Sequence, residues 1–244
     1  MNKYFWAILV ISWIIQPVSG QRSYETTGGI FFDMFFTARG MGGGLNYSFG
    51  EDRKHYLISL DFHSTRDLHE SPVNPAYGRE LGRKYVYGKL NYFYVLTPSF
   101  GISYNLIPKN GMNYANLRGM IKAGPAIGLL NPYYLEVYKP NQGPGTDNRV
   151  IEAYDPSAHS YNRIFGRARL FSSGFDLNAR VGLSIKTMAL LDFAPNPRFI
   201  HGLSLGLNTD LFFHPVPIMA ELDKLQNQRI FVVGSLGFII GNRW

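Results

Sequence analysis

Apolar and polar residues alternate with a period of two along most of the chain. Over 175–186, Phe175, Leu177, Ala179, Val181, Leu183 and Ile185 fall on one face, and Asp176, Asn178, Arg180, Gly182, Ser184 and Lys186 on the other. Over 202–211, Leu203, Leu205, Leu207 and Leu211 share a face with Thr209, opposite Gly202, Ser204, Gly206, Asn208 and Asp210. Similar segments occupy 41–49, 56–66, 84–95, 98–106, 117–130 and 229–241, and weaker ones 30–37 and 133–139. Successive side chains of a strand point to opposite faces, so this pattern predicts strands and leaves little room for helices.

The two faces are unequal. The polar face is small and often glycine, whereas the apolar face is large and turns aromatic near strand ends. A water-facing sheet surface would carry long charged side chains instead. Lipid takes large apolar residues, and a narrow lumen takes small or paired polar ones. In lipid every backbone N–H and C=O needs an internal partner, so such a sheet has to close. The predicted fold class is all-β: a transmembrane, antiparallel, up-and-down β-barrel of about ten strands, with eight as the alternative. Ten strands leave short connections at 50–55, 96–97, 131–132 and 191–199. Those at the other end are mostly longer, with outer loops at 67–83, 140–174 and 213–228. Short periplasmic turns and long outer loops are the habit of bacterial barrels.

Residues 1–20 read as a secretory signal: Lys3, an apolar stretch over 4–15, then Val18-Ser19-Gly20 before Gln21. The barrel then occupies 21–244. The 24 Lys and Arg outnumber the 17 Asp and Glu, but they form no stripe, which argues against a nucleic-acid track. The absence of cysteine excludes disulfides, thiolate metal sites and a Cys nucleophile. No spacing suggests a cofactor or a metal site, and Gly40-Met41-Gly42-Gly43-Gly44 lacks the Lys-Ser/Thr of a phosphate loop.

The chain ends Ser235-x-Gly237-x-x-Ile240 and then Trp244, which resembles the C-terminal signal of Gram-negative outer-membrane barrels; Asn242 departs from its apolar penultimate position. Gly237, Ile240 and Trp244 are therefore the candidate insertion signal. The segments GLLNPYYLEVY, RIFGRARLF and PVPIMA also resemble parts of a set of small Gram-negative barrels. The resemblance implies the fold, an outer-membrane location and contact with membrane lipid and the barrel-insertion machinery. It implies no activity.

The predicted lumen face carries Asp33, Asp61, His63, Lys89, Arg118, Lys122, Glu136, Asp176, Arg180, Lys186 and Asp210, a balance of signs that predicts cross-lumen pairing. His63 lies two residues from Asp61 and shares its face with Ser59. A base with its orienter is one reading of that pair, and a lumen hydrogen-bond network the other. The strands are too short for the raised site of omptin-like proteases, and His201-Gly202-Leu203-Ser204 has the wrong spacing for a lipid A deacylase-like pair. A barrel of this size is filled by its own side chains, which argues against an open pore. The outer loops hold two apolar stretches: Ile164, Phe165, Leu170 and Phe171 beside Arg163, Arg167 and Arg169, and Val216, Ile218 and Met219 between prolines. They are expected either to bind a partner or to pack together as a lid, and the three arginines offer an alternative match to lipid A phosphates. The expectation is a non-enzymatic structural or accessory subunit of an outer-membrane assembly or secretion complex. A narrow channel and a lipid-modifying enzyme are the alternatives.

Overall fold

The computed structural model describes residues 28–51, 53–75, 82–108, 115–139, 149–169, 176–196, 198–221 and 226–244. The signal expected over 1–20, and Leu170 and Phe171, lie outside these residues. The strands are β1 (Gly28–Thr37), β2 (Gly40–Glu51), β3 (Lys54–Thr65), β4 (Pro72–Val73), β5 (Tyr85–Val86), β6 (Asn91–Ile107), β7 (Asn116–Pro132), β8 (Tyr134–Tyr138), β9 (Arg149–Ala153), β10 (Ile164–Arg167), β11 (Asn178–Asp192), β12 (Phe199–Phe212) and β13 (Ile230–Arg243). Eight of them close into one antiparallel barrel in the order β1-β13-β12-β11-β7-β6-β3-β2.

Closure joins the two ends of the chain. β1 pairs with β13 from Gly29 opposite Arg243 to Thr37 opposite Ser235. Gly28 and Trp244 then exchange backbone hydrogen bonds of 3.1 Å in both directions. No sheet edge remains along this seam, as lipid demands.

The barrel has eight strands, not ten, for two reasons. The ten-strand reading puts a turn at 96–97, just before Pro98, yet β6 runs straight through it. The β6–β7 register is the same on both sides, Leu96 opposite Ile127 and Phe100 opposite Ala123, which puts Pro98 opposite Pro125. Both residues lack an N–H, so the missing donors fall on a single rung. The second reason is that 133–139 leaves the wall and becomes β8 of a separate sheet. With eight strands the connections 52–53, 108–115 and 193–198 lie at the end of the termini, and 38–39, 66–90, 133–177 and 213–229 at the other. The loops are longest at the end facing away from the termini, which is therefore the outer end.

The face assignment holds around the barrel. Phe32, Met34, Leu45, Ile58, Leu60, Leu183, Ile185, Leu205, Leu236 and Phe238 point outward and are exposed, forming the lipid-facing band. Near the termini the rings of Trp244, Tyr47, Phe49, Tyr56 and Phe100 follow one another at 5.8–6.2 Å. Aromatic rings at that level form the interfacial girdle of a membrane barrel.

The outer loops build a cap. β4 pairs with β5, and β10-β8-β9 form a three-stranded sheet. Tyr85, Tyr133, Leu135, Val137, Tyr154 and Ile164 pack beneath that sheet. Residues 213–221 fold over the barrel mouth, where Val216, Ile218 and Met219 join Phe93, Val95, Leu130, Phe212 and Phe231 in one apolar cluster.

Candidate functional site

The lumen holds a buried charge network. Lys122 on β7 reaches Asp61 on β3, Nζ to Oδ2 at 2.7 Å, and Asn46 on β2 at 2.8 Å. Lys186 on β11 meets Asp33 on β1 at 2.9 Å and Asp61 at 3.5 Å, and its Nζ lies 3.7 Å from the Phe35 ring centroid. Asn46 also donates to Asp33 at 3.0 Å. Five strands thus meet around two ammonium groups, because every second residue of each strand has to point inward. The arrangement depends on small neighbours. A Cβ on Gly44 would lie 2.1 Å from Asp61 Oδ1 and 2.5 Å from Asp33 Oδ1.

His63 does not pair with Asp61. Its Nε2 lies 3.1 Å from Oδ2 of Asp210 on β12. Residues two apart on a strand stand side by side rather than facing each other, so the partner comes from another strand. Arg118 belongs to a separate contact, donating from Nε to Asn105 at 2.9 Å. Nearer the termini, Arg243 on β13 pairs with Asp192 on β11, a contact between non-neighbouring strands that alternation along either one does not reveal.

Four residues expected on the lumen face are elsewhere, among them Glu136, which lies on β8 of the separate cap sheet. Lys89 lies in the cap, bound to Glu70 at 2.6 Å, with its Nζ 4.8 Å from the Tyr92 ring centroid. Asp176 precedes β11 and is exposed. Arg180, at the outer end of β11, is half-exposed and donates to the Ala179 carbonyl at 3.3 Å. The β11 strand starts later than its alternation suggests, and Asn178, Ala179 and Arg180 pair with β7 alone, because the β12 ladder begins at Gly182.

Between the charges and the cap, Phe35, Asp61, His63, Thr97, Ser99, Lys122, Ser184, Lys186 and Asn208 line a cavity of about 10 Å³. That is room for about one water. Above it the apolar cluster seals the mouth. The Ile218 carbonyl accepts from the Leu90 and Asn91 N–H groups at 2.8 and 3.2 Å, and Asn91 Nδ2 donates to the Pro217 carbonyl at 2.7 Å. Among the described residues no group of three or more His, Asp or Glu side chains is placed to hold a metal ion.

The candidate partner loops are corrected on exposure. Ile164, Val216 and Ile218 are at most 1% exposed and Met219 is 8% exposed. Phe165 and Arg167 are half-buried, and Arg163 and Arg169 are exposed. The apolar residues serve the core of the cap and of the barrel mouth. Inside the cap, burial pushes the Tyr133 phenol well above its usual range and raises that of Tyr154. They stay neutral and accept from the Val86 and Gly88 N–H groups at 3.0 and 3.3 Å. Glu152 is held below the usual carboxylate range by hydrogen bonds from Lys139 and His159.

Of the C-terminal residues, Gly237 lets the closing strands meet, since a Cβ there would come 2.6 Å from the Met34 carbonyl. Ile240 faces the lipid side, and Trp244 sits in the aromatic girdle.

A closed barrel with an apolar outer band and a sealed lumen is the architecture of a small outer-membrane β-barrel. The sequence matches no protein-family model and no curated protein. Three solved structures resemble the chain in outline, each over 90% of its length. They are Neisserial surface protein A (NspA; 7% identity, TM-score 0.42, 99% of that chain), Ail of Yersinia pestis in complex with a heparin analogue (13%, 0.38, 98%) and the N-terminal β-barrel domain of Pseudomonas aeruginosa OprF (11%, 0.38, 99%).

Proposed function

We propose that this chain is a non-enzymatic barrel of the Gram-negative outer membrane, exported by its N-terminal signal, that serves as an accessory subunit of a larger outer-membrane assembly. The observation that carries this reading is the seal. Paired charges fill the lumen and the chain's own loop closes its mouth, which leaves a membrane anchor bearing an ordered outer cap. The cap presents Leu68, Tyr87, Ile151 and Tyr161 as exposed large side chains. Exposed apolar residues of this kind suit a protein partner. They replace Val216, Ile218 and Met219 as the partner-facing candidates. Gly237, Ile240 and Trp244 retain the role of signal to the insertion machinery.

The test is cross-linking in intact cells followed by purification in mild detergent and mass spectrometry. The expected result is stoichiometric recovery of one or more other outer-membrane proteins. That recovery should fall in an Ile151→Asp/Tyr161→Asp variant that still shows a heat-dependent shift on SDS gels. Recovery of the barrel alone from wild-type cells would remove the accessory reading.

A further inference from the structure

One imidazole of the cap is held by both of its nitrogens. His159 closes the turn that follows β9, is 7% exposed and stacks its ring on Tyr154 at 6.1 Å. Its Nδ1 accepts the Asp155 N–H at 3.0 Å, and its Nε2 lies 3.2 Å from Glu152 Oε2. A ring nitrogen that accepts carries no proton, so the hydrogen sits on Nε2 and is donated to the carboxylate. The ring is therefore neutral in this arrangement. The turn is also closed on itself. The Asp155 carbonyl accepts the Ala158 and His159 N–H groups at 3.2 and 2.9 Å, and Asp155 Oδ1 accepts the Ser157 N–H at 2.8 Å.

Protonation removes what holds the turn. A proton on Nδ1 sets two N–H donors against each other across 3.0 Å, and the Asp155 N–H loses its acceptor. The charged ring still has partners, because two carboxylates flank it: Glu152 on β9 and Asp155 in the turn. Lys139, after β8, bonds the other oxygen of Glu152, and the Tyr154 phenol is neutral. Both carboxylates are held below their usual range, Glu152 by Lys139 and His159 and Asp155 chiefly by Ser157. They stay ionised between pH 5 and 8, where an imidazole changes its charge. The segment thus has two arrangements, a neutral ring on a backbone N–H or a charged ring between carboxylates with the turn released. The same segment carries Tyr161, whose hydroxyl donates to the Asn74 carbonyl beside β4 at 3.4 Å.

We propose that His159 is a proton-operated latch of the outer cap. As the neutral ring it holds residues 155–163 against β9, and on taking a proton from the medium at Nδ1 it releases them. The cap surface around Tyr161 then changes with the acidity outside the cell. The latch belongs to the cap alone and is independent of any partner protein.

The test uses the whole barrel in a non-ionic detergent, with isotope-labelled histidine for NMR and hydrogen exchange over 154–163 corrected for intrinsic rates. Near pH 7.5 the His159 signals, identified by their absence in His159→Asn, should show a bare Nδ1 and a protonated Nε2. Between about pH 7.5 and 5.5 the Asp155 amide should lose protection by about fivefold or more, the effect of one lost hydrogen bond. In His159→Asn, still showing the heat-dependent shift on SDS gels, the side-chain oxygen replaces Nδ1 as acceptor and gains no charge. Its protection should not change over that range. Glu152→Gln removes a counter-charge of the imidazolium and should move the midpoint of the step to lower pH. A protonated Nδ1 near pH 7.5, equal protection of the wild type at both pH values, or the same step in His159→Asn would overturn the latch.

Discussion

His63 on β3 and Asp210 on β12 meet across the full width of the lumen, with Nε2 and Oδ2 3.1 Å apart. Their strands are four places apart in a ring of eight, so they are diametrically opposed. One contact thus ties two opposite walls, above the Lys122–Asp61 and Lys186–Asp33 pairs. The lumen is a braced interior rather than a passage.

That bracing sets the cost of breaking it. Asp61 contacts both ammonium groups, so Asp61→Ala strands buried charge and should destabilise the barrel by about 3–5 kcal/mol. Asp61→Leu combined with Lys122→Met leaves the Lys186–Asp33 pair and should recover most of that loss. The temperature at which the folded band disappears on SDS gels measures both. Equal loss in the single and double variants would show that the pairing energy lies elsewhere.

Gly44 tests the packing behind the same network. Gly44→Ala places a Cβ against the Asp61 and Asp33 carboxylates. Overpacking of this kind costs about 1–3 kcal/mol. Gly234→Ala, with open space around its Cβ, should cost less in the same melting assay.

The lid makes a second claim about stability. Ile218 is packed among Phe93, Phe212 and Phe231, so Ile218→Ala should lower stability by about 2–5 kcal/mol. Planar-bilayer recordings of the wild type should show no stable conductance steps, because the cavity holds only about one water. Reproducible ion-selective steps would contradict the sealed lumen.

The wall has its own test. Leu205 is 66% exposed on the outer face, where a midplane arginine costs about 2–4 kcal/mol. Leu205→Arg should therefore lower folding yield into vesicles. Spin labels at 203, 205 and 207 should meet lipid-soluble relaxants, and labels at 204 and 206 should not.

The cap should respond to acid. Glu152 has a folded pKa depressed by Lys139 and His159, so its contribution is present above the ordinary carboxylate value and lost as pH falls through the folded one. Hydrogen exchange in β8 and β9, corrected for intrinsic rates, should quicken below about pH 4. The step should vanish in Glu152→Gln.

The alternation along each strand is a local property, and it was enough to place Leu205 in lipid and Lys122 in the lumen. Period two, the small lumen residues and the terminal aromatic together specify a transmembrane barrel, because only a closed sheet satisfies the backbone in lipid. Strand number, charge pairing and the fate of the loops were decided by closure. Residues 96–97 read as a turn until Pro125 is seen opposite Pro98, and His63 finds Asp210 only when β3 and β12 face each other across the ring. Val216, Ile218 and Met219 look like a sticky exposed loop in the sequence. They are buried because the open mouth of the barrel, which exists only in the folded chain, presents Phe93, Phe212 and Phe231 for them to cover.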